Sequence, residues 1–216
     1  YNFQKVFKRA VASYGIPGKL YTDNGSPYVN GQLALICGSI GTVLLHTKVR
    51  DGASKAKIER FWRTTKERWL YALDTEKIHS LDEFDALYQE YIRSYNTTFH
   101  SVINCSPFDR YRVSEKSVRI PVSADWLDGC FLNRIWRRVR KDSTVSIDKV
   151  SFDVPMQFIS QKVEIRFLPD DLSHAFILFE DNKFPIRITD KNENCRTKRN
   201  STPLDYSKIG GASDVQ

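Results

Sequence analysis

The chain has 216 residues, room for one large domain or two small ones. Lys and Arg number 33 against 26 Asp and Glu, a formal charge of +7 with a pI near 9.2, so the expected partner is a polyanion, nucleic acid being the usual one. The longest apolar run, Leu33 to Leu45, is broken by Gly38, Ser39, Gly41 and Thr42, which leaves no membrane-length segment. Cys37, Cys105, Cys130 and Cys195 form no CxxC pair, and His46, His79, His100 and His174 are equally scattered. That spacing speaks against a zinc finger and a disulfide frame, and for reduced thiols in a cytoplasmic protein.

Phe3, Val6, Phe7, Ala10, Val11 and Tyr14 fall at helical spacing over residues 2–14, and Gly15-Ile16-Pro17-Gly18 ends that helix. Leu20-Tyr21-Thr22 reads as a short strand that stops at Asp23-Asn24-Gly25, a turn with an acid at its tip. The run from Leu33 to Leu45 splits into a helix and a strand. The next helix carries Ile58, Phe61, Trp62, Thr65, Trp69 and Ala72 on one stripe, predicted to be packed. Lys55, Glu59, Arg63 and Lys66 lie on another face, so Glu59 should point away from the packed side. A strand-tip acid and a helix acid can converge on one hard cation. Taken singly, Asp23 is equally well a turn former, and Glu59 an exposed acid paired with Arg63 at i+4.

Ser80-Leu81-Asp82-Glu83 is a capping box, and Phe84, Leu87, Tyr88, Tyr91, Ile92 and Tyr95 form the predicted buried stripe of a second long helix. Ser106-Pro107-Phe108 opens a short helix, with Ser as cap and Pro at the first position. Residues 113–131 read as a connector with some helix. From Ile135 the period changes to two, and Val145/Ile147, Val150/Phe152/Val154, Val163/Ile165/Phe167, Phe176/Leu178 and Ile186/Ile188 follow. Asp148-Lys149, Pro169-Asp170-Asp171 and Asp181-Asn182 supply turns. Five or six short strands in so few residues indicate a small β-barrel over 132–190. Residues 191–216 read as a flexible basic tail.

Thr22-Asp23-Asn24-Gly25-Ser26-Pro27-Tyr28 and Lys57-Ile58-Glu59-Arg60-Phe61-Trp62-Arg63 carry a resemblance. With 35 residues between the two acids, this stretch resembles the second half of a DDE transposase or retroviral-type integrase core, most closely that of bacterial insertion-sequence transposases. Residues 132–190 resemble the β-barrel that follows the core in bacteriophage Mu-type transposases. The resemblance implies an α/β fold: residues 1–112 as the C-terminal part of an RNase H-like integrase core, its first three strands absent, then the connector and the small all-β barrel. Between the two motifs it implies a helix over 32–40, a strand over 42–48 and a loop over 49–56. It implies that Asp23 and Glu59 are the second and third catalytic, metal-binding acids, and that the first Asp lies before Tyr1. The cofactor implied is Mg²⁺ or Mn²⁺, two ions in the complete site. The partners implied are double-stranded DNA, at element ends and target, and further copies of the chain on that DNA. The setting implied is the cytoplasm of a bacterium, at the nucleoid.

The activity this implies is metal-dependent polynucleotidyl transfer: cleavage at the donor end, then strand transfer, with the fragment itself inactive. Two readings compete with it: a non-catalytic DNA-binding remnant of a transposase, and a nuclease of the same fold that only hydrolyses. For DNA contact, mostly to phosphates, the candidates are Lys55, Lys57, Arg60 and Arg63 near the acids. In the barrel they are Arg134, Arg137, Arg138, Arg140 and Lys141, a basic run that no acid interrupts and that encloses Trp136.

Overall fold

A computed structural model of the protein describes residues 2–48 and 56–190. The chain divides into two compact units, Tyr1–Asn133 and Arg134–Gln216. The first mixes helix with a parallel strand pair, and the second is built of antiparallel strands. The predicted loop over 49–56 lies outside the described residues except for Ala56, and the predicted tail lies wholly outside them.

Helix α1 (Asn2–Tyr14) buries Phe7 and Val11, four residues apart on one face. It ends at Gly15, whose φ of 89° suits glycine. A Cβ there would lie 2.2 Å from Val118 Cγ1 and 2.8 Å from the Arg119 carbonyl oxygen, so space as well as φ requires glycine. Strands β1 (Lys19–Thr22) and β2 (Val43–His46) pair in parallel, Lys19 with Val43 through Thr22 with His46. Helix α2 (Gly31–Ile40) makes the crossover that parallel pairing demands. The Asn30 side chain caps its start by accepting from the Leu33 amide, and Gly41 at φ 68° closes its end.

Helix α6 (Ala124–Cys130) lies inside the stretch read as a connector. Its Leu127 and Cys130, with Phe131, join Phe7, Val11, Leu33, Ile36, Cys37 and Ile40 in one core. The same stretch is strapped to the start of β1. The Ile16 amide donates to the Arg119 carbonyl, and the Arg119 guanidinium donates to the carbonyls of Pro17 and Gly41. This core covers one side of the strand pair, through Leu20 and Leu44. Tyr21, Val43 and Leu45 remain between 38% and 53% exposed, unlike the usual parallel sheet with both faces covered.

Helices α3 (Ala56–Arg68) and α4 (Leu81–Thr97) carry the aromatic stripes seen in the sequence, but not at the predicted depth. On α3 only Thr65 is buried, while Ile58 and Trp62 are about half exposed. On α4 no residue is fully buried. Trp69 stacks on Tyr91 and tilts against Phe84 and Tyr88, while Phe61 meets Tyr95 edge-on. The stripes therefore pack on each other, and no further layer among the described residues buries them fully. Ser80 caps α4 by accepting from the Glu83 amide. The Glu83 carboxylate reaches one residue beyond the predicted box, to the His79 amide. Helix α5 (Pro107–Ser114) starts as predicted, with Ser106 accepting from the Asp109 amide and Pro107 in the first turn.

The second unit has seven strands: β3 (Asn133–Arg138), β4 (Thr144–Ile147), β5 (Val150–Asp153), β6 (Lys162–Leu168), β7 (Asp171–Phe179), β8 (Asn182–Pro185) and β9 (Arg187–Ile188). They form a four-stranded sheet, β3-β6-β7-β8, and a three-stranded sheet, β4-β5-β9. Both contribute to one core, in which Ile147, Phe152, Ile165 and Ile177 are completely buried. Strand β8 was not foreseen: it is polar and ends in Pro185, which its edge position tolerates.

Candidate active site and nucleic-acid interface

Asp23 follows the last residue of β1, and the turn after it is held by its own side chain. Asp23 Oδ1 accepts from the Gly25 amide at 3.0 Å, and the Tyr28 and Val29 amides donate to the Gly25 carbonyl. The tips of β1 and β2 are tied together beside it. Thr22 Oγ1 lies 3.1 Å from His46 Nδ1, the same nitrogen is 3.3 Å from the Asp23 carbonyl oxygen, and Asn24 Nδ2 donates to the Thr47 carbonyl at 2.8 Å. The Asp23 backbone is thus fixed from both neighbours.

Glu59 occupies the first turn of α3, where the helix dipole favours an acid, and it is exposed. Asp23 and Glu59 line the same cavity, of about 590 Å³. Lys57 shares it, as do the aromatic side chains of Phe3, Tyr28 and Trp62. Tyr28 is braced by Phe3, ring edge to ring face, with centroids 4.8 Å apart. Ile58 also lines the cavity, so part of the stripe expected to pack faces the acids instead. Arg60 and Arg63 are exposed on α3 and are not among the described lining residues; Lys55 lies outside the described residues. Phe3 and Tyr28 were not singled out for the site from sequence, although Tyr28 closes the motif that begins at Thr22.

Both acids offer hard oxygen donors, the ligand type that Mg²⁺ and Mn²⁺ prefer. Among the described residues no group of three or more His, Cys, Asp or Glu is arranged to hold a metal ion. The cavity brings two acids, Asp23 and Glu59, into one lining.

In the second unit, Arg134, Arg137 and Arg138 lie on β3, with Arg140 and Lys141 following in the turn to β4. All but the half-buried Arg134 are exposed. The Arg137 guanidinium donates to the Ser146 and Trp136 carbonyls, each at 3.2 Å. It thereby links β3 of one sheet to β4 of the other, a structural task beside any contact with phosphate. No helix among the described residues is long and apolar enough to cross a membrane.

The second unit is a β module of largely antiparallel strands with a basic edge, and the first an α/β module with a cavity that two acids line. Residues 128–185, from within α6 to the end of β8, match the family model described as Mu transposase, C-terminal. The chain is 24% identical over 183 residues to the transposase for transposon Tn552 of Staphylococcus aureus, covering 77% of this chain and 37% of that protein. It is also 24% identical over 120 residues to the transposase for insertion sequence IS1202 of Streptococcus pneumoniae, covering 50% of this chain and 25% of the relative. The chain is thus similar to transposases of mobile elements, with a C-terminal segment of the Mu type. These matches cover 37% and 25% of the two relatives, well under two thirds of their length.

Proposed function

We propose that the chain is part of a DDE-type DNA transposase, in which the first unit contributes to an RNase H-like catalytic core and the second is a barrel-like module that holds DNA. The observation that carries this reading is the cavity shared by Asp23 and Glu59, two acids with 35 residues between them. The parallel β1–β2 pair, joined through α2 and followed by α3, supports it, as does the similarity to two transposases. The remaining carboxylate, on this reading the first of three, comes from outside the described residues.

Mg²⁺ or Mn²⁺, two ions in the complete site, would supply Lewis-acid stabilisation of the attacking and leaving oxygens of a phosphodiester. Asp23 and Glu59 would hold that group, Asp23 on a turn fixed by Gly25 and Glu59 on the rigid first turn of a helix. Lys57, in the same cavity, would take a DNA phosphate and orient it. Arg60 and Arg63, exposed further along α3, would take phosphates beyond the cavity. The reaction class is donor-end cleavage followed by attack of the freed 3′-hydroxyl on target DNA. The parent protein would act as a homo-oligomer assembled on double-stranded DNA.

The test is a cleavage and strand-joining assay on the parent protein. Asp23→Asn or Glu59→Gln should lower the joining rate at least about a hundredfold, with DNA affinity held within about threefold. Joining that survives either substitution would remove these acids from the chemistry and leave a DNA-binding remnant. Residues 1–216 alone should give no strand transfer.

A further inference from the structure

The four-stranded sheet has an outer face whose chemistry goes beyond holding a duplex. On β6, Val163, Ile165 and Phe167 are buried in the core, so Lys162, Glu164 and Arg166 point outward. On β3, Ile135 packs on the core, which places Trp136 and Arg138 on the outer face. On β7, Ala175 and Ile177 are buried and Phe176 faces out; on β8, Lys183 pairs with outward Leu178. Trp136 is 55% exposed, and Lys162 Nζ lies 5.8 Å from the centre of its ring. The pairing repeats across the sheet, where Lys183 Nζ lies 5.3 Å from the centre of the Phe176 ring.

The charge on this face is one-sided. Glu164 is the acid among these outward positions, and Arg166 neutralises it at 2.8 Å with both side chains largely covered. Further acids sit in the turns at the two ends of the strands, Asp170 and Asp171 at one, Glu180 and Asp181 at the other. They repel an anion from the strand ends and leave a path that crosses the strands between them. A double helix would use the cations here but not the rings, because its bases are stacked inside. A single strand uses both: bases stack on aromatic side chains while phosphates meet lysine and arginine.

We propose that the outer face of the four-stranded sheet binds single-stranded DNA, with one unpaired base on Trp136, another on Phe176, and the intervening phosphates on Lys162, Lys183 and Arg138. The choice of DNA rests on the reading of this unit as a DNA-holding module. Holding a frayed or displaced strand would complement duplex contact by the basic run at Arg140 and Lys141.

The test measures fluorescence anisotropy of a labelled oligothymidylate and of a duplex of equal length, with the full 216-residue chain at one fixed salt concentration. Trp136→Ala should weaken single-strand binding about tenfold and duplex binding less than about twofold. Trp136→Phe, which keeps a stacking ring, should stay within about threefold of the parent on both. Phe176→Leu, which keeps the volume but not the ring, should again weaken the single strand selectively. Equal losses on both probes, no loss on the single strand, or duplex binding without single-strand binding would each overturn this inference and leave the duplex-holding module standing. Binding to neither probe would overturn both readings.

Discussion

The two units of the chain reach burial by different routes. In the second, two sheets close over one core, and Ile147, Phe152, Ile165 and Ile177 have no measurable exposure. In the first, three helices cover one side of a two-stranded parallel sheet, while Tyr21, Val43, Ile58 and Trp62 stay about half exposed. Among the described residues, buried side-chain atoms of Gln4, Thr65, Tyr91 and His100 in the first unit, and of Asn133 at the start of β3, have no hydrogen-bond partner. Each such atom costs about 1–3 kcal/mol. The lesson is that the β module closes over its own apolar core, whereas the α/β module leaves apolar faces half open.

The largest test of this contrast is a matched pair of truncations. Phe152→Ala, in the closed core, should cost about 3–5 kcal/mol in denaturant unfolding of the second unit. Val43→Ala, on the open sheet face, should stay within about 0.5 kcal/mol. Similar losses at the two positions would erase the distinction. Hydrogen exchange sharpens it: amides of β6 and β7 should be protected far longer than those of β1 and β2.

Next in size is Gly15→Ala. The positive φ and the contacts with Val118 and Arg119 make a cost of about 1–3 kcal/mol the expected outcome, read as a lower midpoint for the first unit alone. The caps come below that. Ser80→Ala and Ser106→Ala should each cost about 1 kcal/mol, because each hydroxyl accepts from a first-turn amide. On the DNA side of the comparison, reversing the charge of Arg138, Arg140 and Lys141 should flatten the salt dependence of duplex affinity. Arg137 is better left in place, since its loss would also loosen β4. An unchanged slope would remove this run from the interface.

The smallest effect concerns acid. Hydrogen bonds from Ser173, then His174, hold the Asp171 carboxyl below its ordinary value. A carboxyl lowered in the folded state contributes stability above its unfolded pKa of about 3.9, and that contribution fades as pH falls through the lower folded value. The Asp171 side chain is about half exposed, so Asp171→Asn should shift the acid limb of a pH-stability curve only slightly.

Much of this could be read in the residues. Six of the seven strands of the second unit were visible because period two leaves a plain trace when one face is buried. The caps at Ser80 and Ser106 were legible because a cap is local chemistry. The depth of the α3 and α4 stripes was not, because periodicity says which face packs but not whether enough partners exist to bury it. The stretch holding α6 read as a connector with some helix, but the bounds of α6 and its place in the core were not legible: it has seven residues, with Asp125, Asp128 and Gly129 between its apolar ones, too few for a period to register. In the cavity, Asp23, Glu59 and Lys57 could be named from motif and spacing. Phe3 could not, because nothing in a sequence places an N-terminal helix against a turn twenty residues on.

The strap made by Arg119 and α6 bears on how this chain can be divided for experiments. A piece ending at residue 112 keeps both cavity acids, yet it strips Leu127, Cys130 and Phe131 from against Phe7 and Ile40 and removes the guanidinium that joins Pro17 to Gly41. Such a piece would lay bare a greasy flank and clump, and its failure to react would say nothing about the carboxylates. A cut placed after Asn133 retains that wall, so dissection of the N-terminal half should begin there.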